Sequence, residues 1–186
     1  MIKVEPLTAQ QSEDELIRNA QHDAQAFKPI YEKYFKRLFL FILHRIGEKE
    51  LSADLTQQVF LKALGNLARF KIQGAPFSAW LYRIAINECN DYFRKSKNAR
   101  LVVLQDNHLD LLFEELTDEN TVDDLKRRLP LILSKLNAHE LQLIQLRFFE
   151  ERPFKEIGNI LGTTENNSKV KTYRILDKMK KLFLAK

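Results

Sequence analysis

The chain has 186 residues, of which 45% are hydrophobic and 30% are charged, and its formal net charge at pH 7 is +5. This balance is typical of a folded globular protein, and five glycines and five prolines are too few for a β-sandwich or barrel rich in turns. The single cysteine, Cys89, excludes an intramolecular disulfide, and no apolar run reaches the roughly 18 residues of a membrane span. We therefore expect a soluble, cytoplasmic protein without membrane insertion.

The first part of the chain has apolar residues at the three- and four-residue steps that are typical of helices. Ser12 and Glu15 have the spacing of a capping box, which predicts a short helix over about 13–21. A longer helix is predicted over about 24–45, and it can start a few residues later because Pro29 fits only in a first turn. Both helices are expected to turn one apolar face towards a common core.

Two further helices are predicted over about 50–67 and 77–97, and the loop between them at 71–76 contains glycine and proline. The first of these helices has leucine, valine and phenylalanine along one side, and Leu61 is counted with that apolar side. Together the helices before residue 98 are sufficient to bury the core of one compact bundle of about 90 residues.

Charge divides the chain into three parts. Residues 1–98 carry a net charge of +4, residues 99–125 a net charge of −7, and residues 126–186 a net charge of +8. Two basic blocks separated by an acidic one indicate two charged binding surfaces joined by a linker, although solvated helix faces and an acidic loop would give the same pattern. We predict domains at 1–98 and 126–186, with 99–125 as the acidic linker.

The last part of the chain is predicted to contain four helices, at about 122–135, 138–150, 153–161 and 164–182. The last two have the pattern of a helix-turn-helix. Gly158 allows the two helices to approach closely, and Gly162 suits the left-handed position of the turn. Thr163 or Thr164 is expected to cap the second helix. The predicted fold is therefore all-α, with a helical bundle and a small helix-turn-helix domain joined by the acidic linker.

The second helix of this motif begins with side chains that suit DNA bases. Asparagine pairs well with adenine, lysine with guanine, and glutamate accepts a hydrogen bond from cytosine, while further basic residues can hold phosphates. The predicted DNA-binding residues are Thr164, Glu165, Asn166, Asn167, Lys169, Lys171 and Arg174. Helical hairpins with a glycine turn also occur as plain scaffold, but the basic charge of this domain favours DNA binding.

Two segments of the bundle resemble motifs of a known family. The segment 52–64, SADLTQQVFLKAL, is similar to the helix with which sigma factors bind core RNA polymerase. The segment 77–87, FSAWLYRIAIN, followed by DYFR at 91–94, is similar to the helix with which they read and melt the −10 promoter element. Residues 130–182 resemble the module that reads the −35 element. The chain thus resembles an extracytoplasmic-function (group 4) sigma factor of the sigma-70 family, with region 2 in 1–98 and region 4 in 126–186.

This resemblance implies partners and site residues. The implied partners are core RNA polymerase, promoter DNA as duplex and as melted −10 strand, and an anti-sigma factor; no cofactor, metal or enzymatic activity of its own is implied. The residues implied to dock on polymerase are Asp54, Leu55, Gln57, Gln58, Phe60 and Leu61. The residues implied to bind the −10 element are Lys71, Gln73, Trp80, Arg83, Asn87, Asp91, Arg94 and Lys95. The helix-turn-helix residues would read the −35 element.

Three positions depart from the family pattern. Ala53 stands where the family usually has glutamate, so part of the polymerase contact is expected to be weaker. Ser168 and Thr172 stand where apolar residues normally face the preceding helix. Either these small residues are buried with a local hydrogen bond to the preceding turn, or the helix is rotated so that Val170 and Tyr173 pack instead.

The main alternative is a free-standing helix-turn-helix regulator that binds operators without polymerase. A sensor domain has no reason to carry segments 52–64 and 70–97 in this form, which favours the sigma factor. An enzyme is disfavoured because the four histidines are scattered, and Cys89 is expected to be a small buried hydrophobe. The acidic linker would thread the polymerase, or it would mask the basic modules in the free protein.

Overall fold

The structure is a computed structural model that describes residues 9–72, 74–96, 110–116 and 122–184. Every regular element in these ranges is helical, in agreement with the predicted all-α fold. The first unit contains helices α1 (Ala9–His22), α2 (Lys28–Ile46), α3 (Lys49–Asn66) and α4 (Phe77–Ser96), with 3-10 turns at Ala24–Phe27 and Leu67–Arg69. The second contains α5 (Asp110–Leu116), α6 (Val122–Ser134), α7 (Ala138–Ile144) with a π-helical continuation (Gln145–Phe149), α8 (Phe154–Leu161) and α9 (Glu165–Leu184).

Helix ends follow local chemistry in most places. The Asp23 carboxylate accepts a hydrogen bond from the Gln25 backbone N–H at 2.9 Å, which starts the 3-10 turn before α2. Pro29 lies in the first turn of α2, and Gly47 ends that helix with a positive φ of 79°. The predicted start of α1 was wrong, since the helix begins at Ala9. Ser12 and Glu15 lie inside the helix. A serine followed three residues later by a glutamate also occurs within helices, because residues three apart lie on the same face.

The bundle core is formed mainly by α2, α3 and α4. Phe41 of α2 meets Tyr82 of α4 edge-on, with 5.0 Å between ring centroids, and both rings are buried. Val59 of α3 and Leu81 of α4 are fully buried in the same cluster. Leu61, in contrast, is 68% exposed, so its assignment to the apolar inner side of α3 was wrong. The core of this unit therefore leaves one large apolar side chain of α3 in solvent.

Part of the predicted linker is a docked helix. α5 packs against α9, and its side chains Leu112, Phe113 and Leu116 are buried. The Lys126 ammonium lies 5.7 Å from the centre of the Phe113 ring, which places a cation over an aromatic face. The short apolar run inside the acidic segment is therefore part of the second core. The domain boundaries themselves stay a prediction.

The two units also pack against each other, chiefly through α4 and α8. Nothing in the periodicity of either helix indicated this contact. Within the ranges that the structure describes, no helix is both long and apolar enough to cross a bilayer.

Candidate nucleic-acid interface

The turn between α8 and α9 has the backbone geometry that was predicted from its glycines. A Cβ atom built on Gly158 would lie 2.8 Å from the Thr163 carbonyl oxygen, a distance too short for any side chain. Gly162 has a φ of 67°, in the left-handed region, and ends α8. The Thr164 hydroxyl accepts a hydrogen bond from the Asn167 backbone N–H at 3.2 Å, so Thr164 caps α9. The helix-turn-helix prediction is confirmed in these details.

The rotation of α9 is decided by its two small polar residues. Ser168 and Thr172 are completely buried, and the Thr172 hydroxyl donates to the Ser168 carbonyl oxygen at 2.9 Å. The Ser168 hydroxyl makes no hydrogen bond, so only one of the two predicted local bonds is present. Val170 and Tyr173 are 40% and 43% exposed. The helix therefore has the unrotated orientation, and the alternative in which Val170 and Tyr173 pack inward was wrong.

The exposed face of α9 collects most of the predicted −35 residues. Those that are exposed are Thr164, Glu165, Asn166, Asn167, Lys169 and Arg174, while Lys171 is half-buried. The Asn167 amide donates to the Thr163 hydroxyl at 2.6 Å, which orients this side chain towards the turn. Sequence reasoning missed Val170 and Tyr173 as members of this face. On a helical wheel, Val170 and Tyr173 lie between Lys169 and Arg174, so this projection of the sequence would have found both.

A second candidate surface is a cleft of about 470 Å³ beside α4. Three of the predicted −10 residues, Trp80, Asn87 and Asp91, line it together. Trp80 is half-buried and lies 5.1 Å from the Phe70 ring, so it has both a core contact and a face towards the cleft. The cleft also contains Asn66, which sequence reasoning missed because it lies at the end of α3, distant along the chain.

The other predicted −10 residues that the structure describes do not line this cleft. Lys71, Arg94 and Lys95 are exposed, and Arg94 pairs with the Asp91 carboxylate at 3.0 Å. Gln73 lies outside the described residues. Arg83 turns away from the cleft lining and donates hydrogen bonds to backbone carbonyl groups of α8. The structure thus brings three of the predicted residues into one cleft and places Arg83 at the contact with α8.

A third surface lies on α3. Asp54, Gln57 and Gln58 are exposed beside Leu61. Next to them is a largely apolar groove of about 530 Å³, which is lined by Phe27, Tyr31, Gln57, Phe60, Leu61 and Leu64 among others.

Two residues of the predicted polymerase-binding set are in the core. Leu55 is buried, and Phe60, of which only 4% is exposed, has its ring 4.7 Å from that of Tyr31. Leu55 and Phe60 therefore pack beneath the α3 surface. Its solvent-exposed part is formed by Asp54, Gln57, Gln58 and Leu61.

Neither a metal site nor a reactive cysteine is present among the side chains that the structure describes. Among the described residues, no three His, Cys, Asp or Glu groups are close enough to hold a metal ion. Cys89 is completely buried, as predicted, and burial raises the pKa of its thiol to about 11. A thiol in this setting stays protonated at neutral pH and is a poor nucleophile.

Two family profiles match the chain in order. The one described as Sigma-70 region 2 matches residues 30–99, and the one described as Sigma-70, region 4 matches residues 132–181. The ECF RNA polymerase sigma factor BldN of Streptomyces coelicolor is 32% identical over 171 residues, which cover 90% of this chain and 64% of BldN. The ECF RNA polymerase sigma factor SigM of Bacillus subtilis is 26% identical over 155 residues, which cover 83% of this chain and 93% of SigM.

Two solved structures are similar in fold. CnrH, solved with the cytosolic domain of CnrY, superposes with a TM-score of 0.61 and 20% identity, over 90% of this chain and 94% of CnrH. The sigma factor RpoE of Bartonella quintana, solved with the anti-sigma factor NepR, superposes with a TM-score of 0.57 and 20% identity, over 86% of this chain and 98% of RpoE.

The two matched regions, in this order and on this fold, are those of a transcription initiation factor: the chain belongs to the sigma-70 family. Such factors are not enzymes themselves, and a free-standing helix-turn-helix regulator would not match region 2. The relatives place it with the extracytoplasmic-function sigma factors, as the resemblance of the sequence implied. It spans 64% of the length of BldN and 93% of the length of SigM.

Proposed function

We propose that this chain directs core RNA polymerase to specific promoters and favours opening of the −10 element. The observation that carries the proposal is that matches to regions 2 and 4 coincide with three separate exposed surfaces, on α3, α4 and α9. In this proposal residues 1–98 form the region 2 domain, residues 126–186 form the region 4 domain, and residues 99–125 join them.

The α3 surface is proposed to bind polymerase. Leu61 is a large apolar side chain that is 68% exposed, and it is flanked by the carboxylate of Asp54 and the amide of Gln57. An exposed apolar anchor with polar neighbours is the usual arrangement of an interface hot spot. The groove beside it, which Tyr31 helps to line, provides an apolar surface against which a partner helix can pack.

The cleft beside α4 is proposed to hold an unstacked base of the melted −10 strand. Trp80 offers an aromatic face, and the Asn87 amide can both donate and accept hydrogen bonds at the edge of a base. Lys71, which precedes Trp80 in the sequence, and Lys95, which follows Asn87, are both exposed and would bind phosphates. Binding of the single strand here lowers the free energy of the melted state, which is a population shift rather than catalysis.

The exposed face of α9 is proposed to read the −35 element in the major groove. Glu165, Asn166 and Lys169 provide polar groups for base edges, and Arg174 provides charge for phosphates. We add Val170 and Tyr173 to this set because both are exposed on the same face. The methyl groups of Val170 suit the methyl group of a thymine.

Two further parts of the proposal concern location and control. A factor that works with RNA polymerase is proposed to be cytoplasmic. An anti-sigma factor is proposed as an inhibitory partner, since the similar RpoE of Bartonella quintana was solved with one.

Binding to bacterial core RNA polymerase tests the proposal directly. Asp54→Lys and Leu61→Ala should each weaken binding by about 1–2 kcal/mol, the usual range for an interface anchor. Glu15→Lys, a charge reversal at an exposed site on α1, is the matched control and should leave binding unchanged. If the unaltered chain does not bind core polymerase, the proposed function is wrong.

A further inference from the structure

Helix α1 precedes the residues that match region 2, yet it contacts the turn after α3, which leads to the α4 cleft. The Gln21 side chain, in the last turn of α1, donates from Nε2 to the Leu67 carbonyl oxygen at 3.0 Å and to the Phe70 carbonyl oxygen at 2.9 Å. A side-chain amide has two N–H groups, so each carbonyl group can accept its own hydrogen bond. One amide thus joins α1 to both ends of this turn.

The turn that Gln21 contacts is short and leads into an irregular segment. Leu67–Arg69 is a single 3-10 turn, and Phe70 follows it with an extended backbone. The Phe70 backbone N–H donates to the Leu67 carbonyl oxygen at 2.9 Å, which closes the turn. Carbonyl groups at the end of a helix lack helical partners, so a donor from another element fixes their direction. Gln21 therefore orients the backbone at the point where the loop before α4 begins.

Phe70 is also an aromatic neighbour of Trp80 in the cleft. Its ring lies 5.1 Å from the Phe77 ring and 5.1 Å from the Trp80 ring, and Phe77 and Trp80 are 5.3 Å apart. Phe70 and Trp80 both line the cleft. Rings at these distances pack in preferred relative orientations, so a shift of Phe70 would change the packing of Trp80. The hydrogen bonds of Gln21 therefore act on the aromatic pair that faces the cleft.

The first half of α1 is fixed to α2 by a separate set of contacts. Glu13 is 7% exposed, and its carboxylate accepts hydrogen bonds from the Tyr34 hydroxyl and the Lys33 ammonium. Burial and the hydrogen bond to Glu13 raise the pKa of the Tyr34 hydroxyl well above its usual range, so it stays a donor. The Tyr34 ring lies 5.9 Å from that of Phe77. Both halves of α1 therefore contact residues that support the same aromatic cluster.

We propose that Gln21 is a positioning residue for the melted −10 strand: it holds Phe70 and Trp80 in the arrangement on which an unstacked base packs. This inference rests on the function proposed above for the cleft. Gln21 does not line the cleft, so it acts through the Phe70 carbonyl group and ring. Stacking on an aromatic ring depends on the orientation of that ring. The proposed polymerase and −35 surfaces contain none of these residues, so they do not depend on Gln21.

The free protein tests the hold on the aromatic pair, without polymerase or DNA. Trp80 is the single tryptophan of the chain, so tryptophan fluorescence reports on the cleft. Gln21→Met has a side chain of similar length without a donor, and Gln21→Lys keeps a donor. Gln21→Met should shift the Trp80 emission to the red and increase its quenching by acrylamide, while Gln21→Lys should resemble the unaltered protein. Asn19→Met, at an exposed site on the same helix, is the matched control and should change neither.

Unchanged emission and quenching in Gln21→Met would overturn the inference. Circular dichroism establishes that each variant is folded. Gln21→Glu has nearly the same shape as glutamine and accepts hydrogen bonds at neutral pH instead of donating them, so it provides a second variant without the donor. It should change the Trp80 fluorescence in the same direction as Gln21→Met.

Binding of a −10 single strand to the holoenzyme tests the consequence for DNA. An abasic nucleotide placed at each position in turn identifies the base that the cleft binds, by the largest loss of affinity. The ratio of the affinities for the intact and the abasic strand then measures the base contact, since phosphate contacts are common to both. Gln21→Met should reduce this ratio by about three- to ten-fold, the range of one hydrogen bond. Gln21→Lys should restore the ratio, and Asn19→Met should leave it unchanged.

Equal losses of affinity for the intact and the abasic strand in Gln21→Met would overturn the inference, because they indicate a general loss of structure. A ratio that Gln21→Lys does not restore would also overturn it. If no abasic position weakens binding to the unaltered holoenzyme, the function proposed for the cleft is wrong instead. The fluorescence of the free protein separates the two failures, since it depends on neither DNA nor polymerase.

Discussion

Helices α4 and α9 have 20 residues each and both carry residues proposed to bind DNA, yet their surroundings differ. The proposed DNA face of α9 is open to solvent, with Asn166, Lys169 and Arg174 exposed. α4 has an open cleft on one side, while on another Arg83 is hydrogen bonded to α8. The comparison shows that side chains predicted for the same task can differ in access to solvent, because one of them packs against a neighbouring unit.

The open face of α9 depends on the tight turn before it, and breaking this turn gives the largest expected effect. Gly158→Ala would force a methyl group against the Thr163 carbonyl oxygen, which is backbone and cannot swing away. We expect a loss of about 3 kcal/mol in the free energy of unfolding, at the upper end of overpacking effects. Urea unfolding measures it. Gly65→Ala, where a Cβ meets nothing within 4 Å in helix α3, should be neutral or slightly stabilising.

Substitutions on the two proposed DNA surfaces should affect the binding of different DNA ligands. Asn87→Ala is expected to weaken binding of a −10 single strand to the holoenzyme by about 1–3 kcal/mol, because an edge-reading amide in the cleft is lost. Binding of a −35 duplex should not change. Lys169→Ala should do the reverse and weaken duplex binding by about 1–3 kcal/mol, because a hydrogen-bond donor to a base edge is lost. Fluorescence anisotropy with the two probes measures both, and equal losses on both probes would contradict the assignment.

A third prediction concerns Val170, an exposed apolar residue of α9. Val170→Ser should cost about 1 kcal/mol on a duplex with thymine at the contacted position, since one methyl contact is worth about 0.8 kcal/mol. Uracil in place of that thymine removes the methyl group from the DNA side. The loss of binding free energy caused by Val170→Ser and the loss caused by uracil should then not be additive. Additive losses at every thymine of the site would remove Val170 from the proposed interface.

The smallest expected effect concerns the support of α9 by α7. Burial raises the pKa of the Glu140 carboxyl, but hydrogen bonds from Lys178 and the Asn137 backbone outweigh it and lower the pKa below the ordinary 4.5. Because the folded-state pKa is depressed, the stabilisation is present above about pH 4.5 and is lost as the pH falls through the folded value. Glu140→Gln keeps an oxygen that accepts from the Asn137 N–H but loses the ion pair with Lys178. It should therefore cost about 0.5 kcal/mol at pH 7 and progressively less as the pH falls below about 4.5. Glu114→Gln is the control, and a constant difference across this range would exclude the linkage.

Much of the candidate site was predictable because it is local. Gly162 and Thr164 belong to a turn whose conformation is decided within a few residues, so sequence pattern alone predicted the helix-turn-helix. Spacing alone did not predict which side chains of α3 are exposed. Leu61 fits the apolar side of a helix by spacing, but in the folded chain that position lies beyond the edge of the core. Leu55 and Phe60 are buried, and Phe60 still lines the groove on α3, so their part in polymerase binding stays a prediction.

Sequence pattern was sufficient to predict the all-α class, the order of the helices and the residue types of the three candidate surfaces, because helix periodicity, caps and turn glycines act over about four residues. The folded chain was needed to find the docking of α5, the lining of the α4 cleft and the partners of Arg83. Arg83 and Ile160 are 77 residues apart, and Arg45 and Gln145 are 100 residues apart. Contacts at such separations depend on how whole helices pack, and no local propensity specifies them.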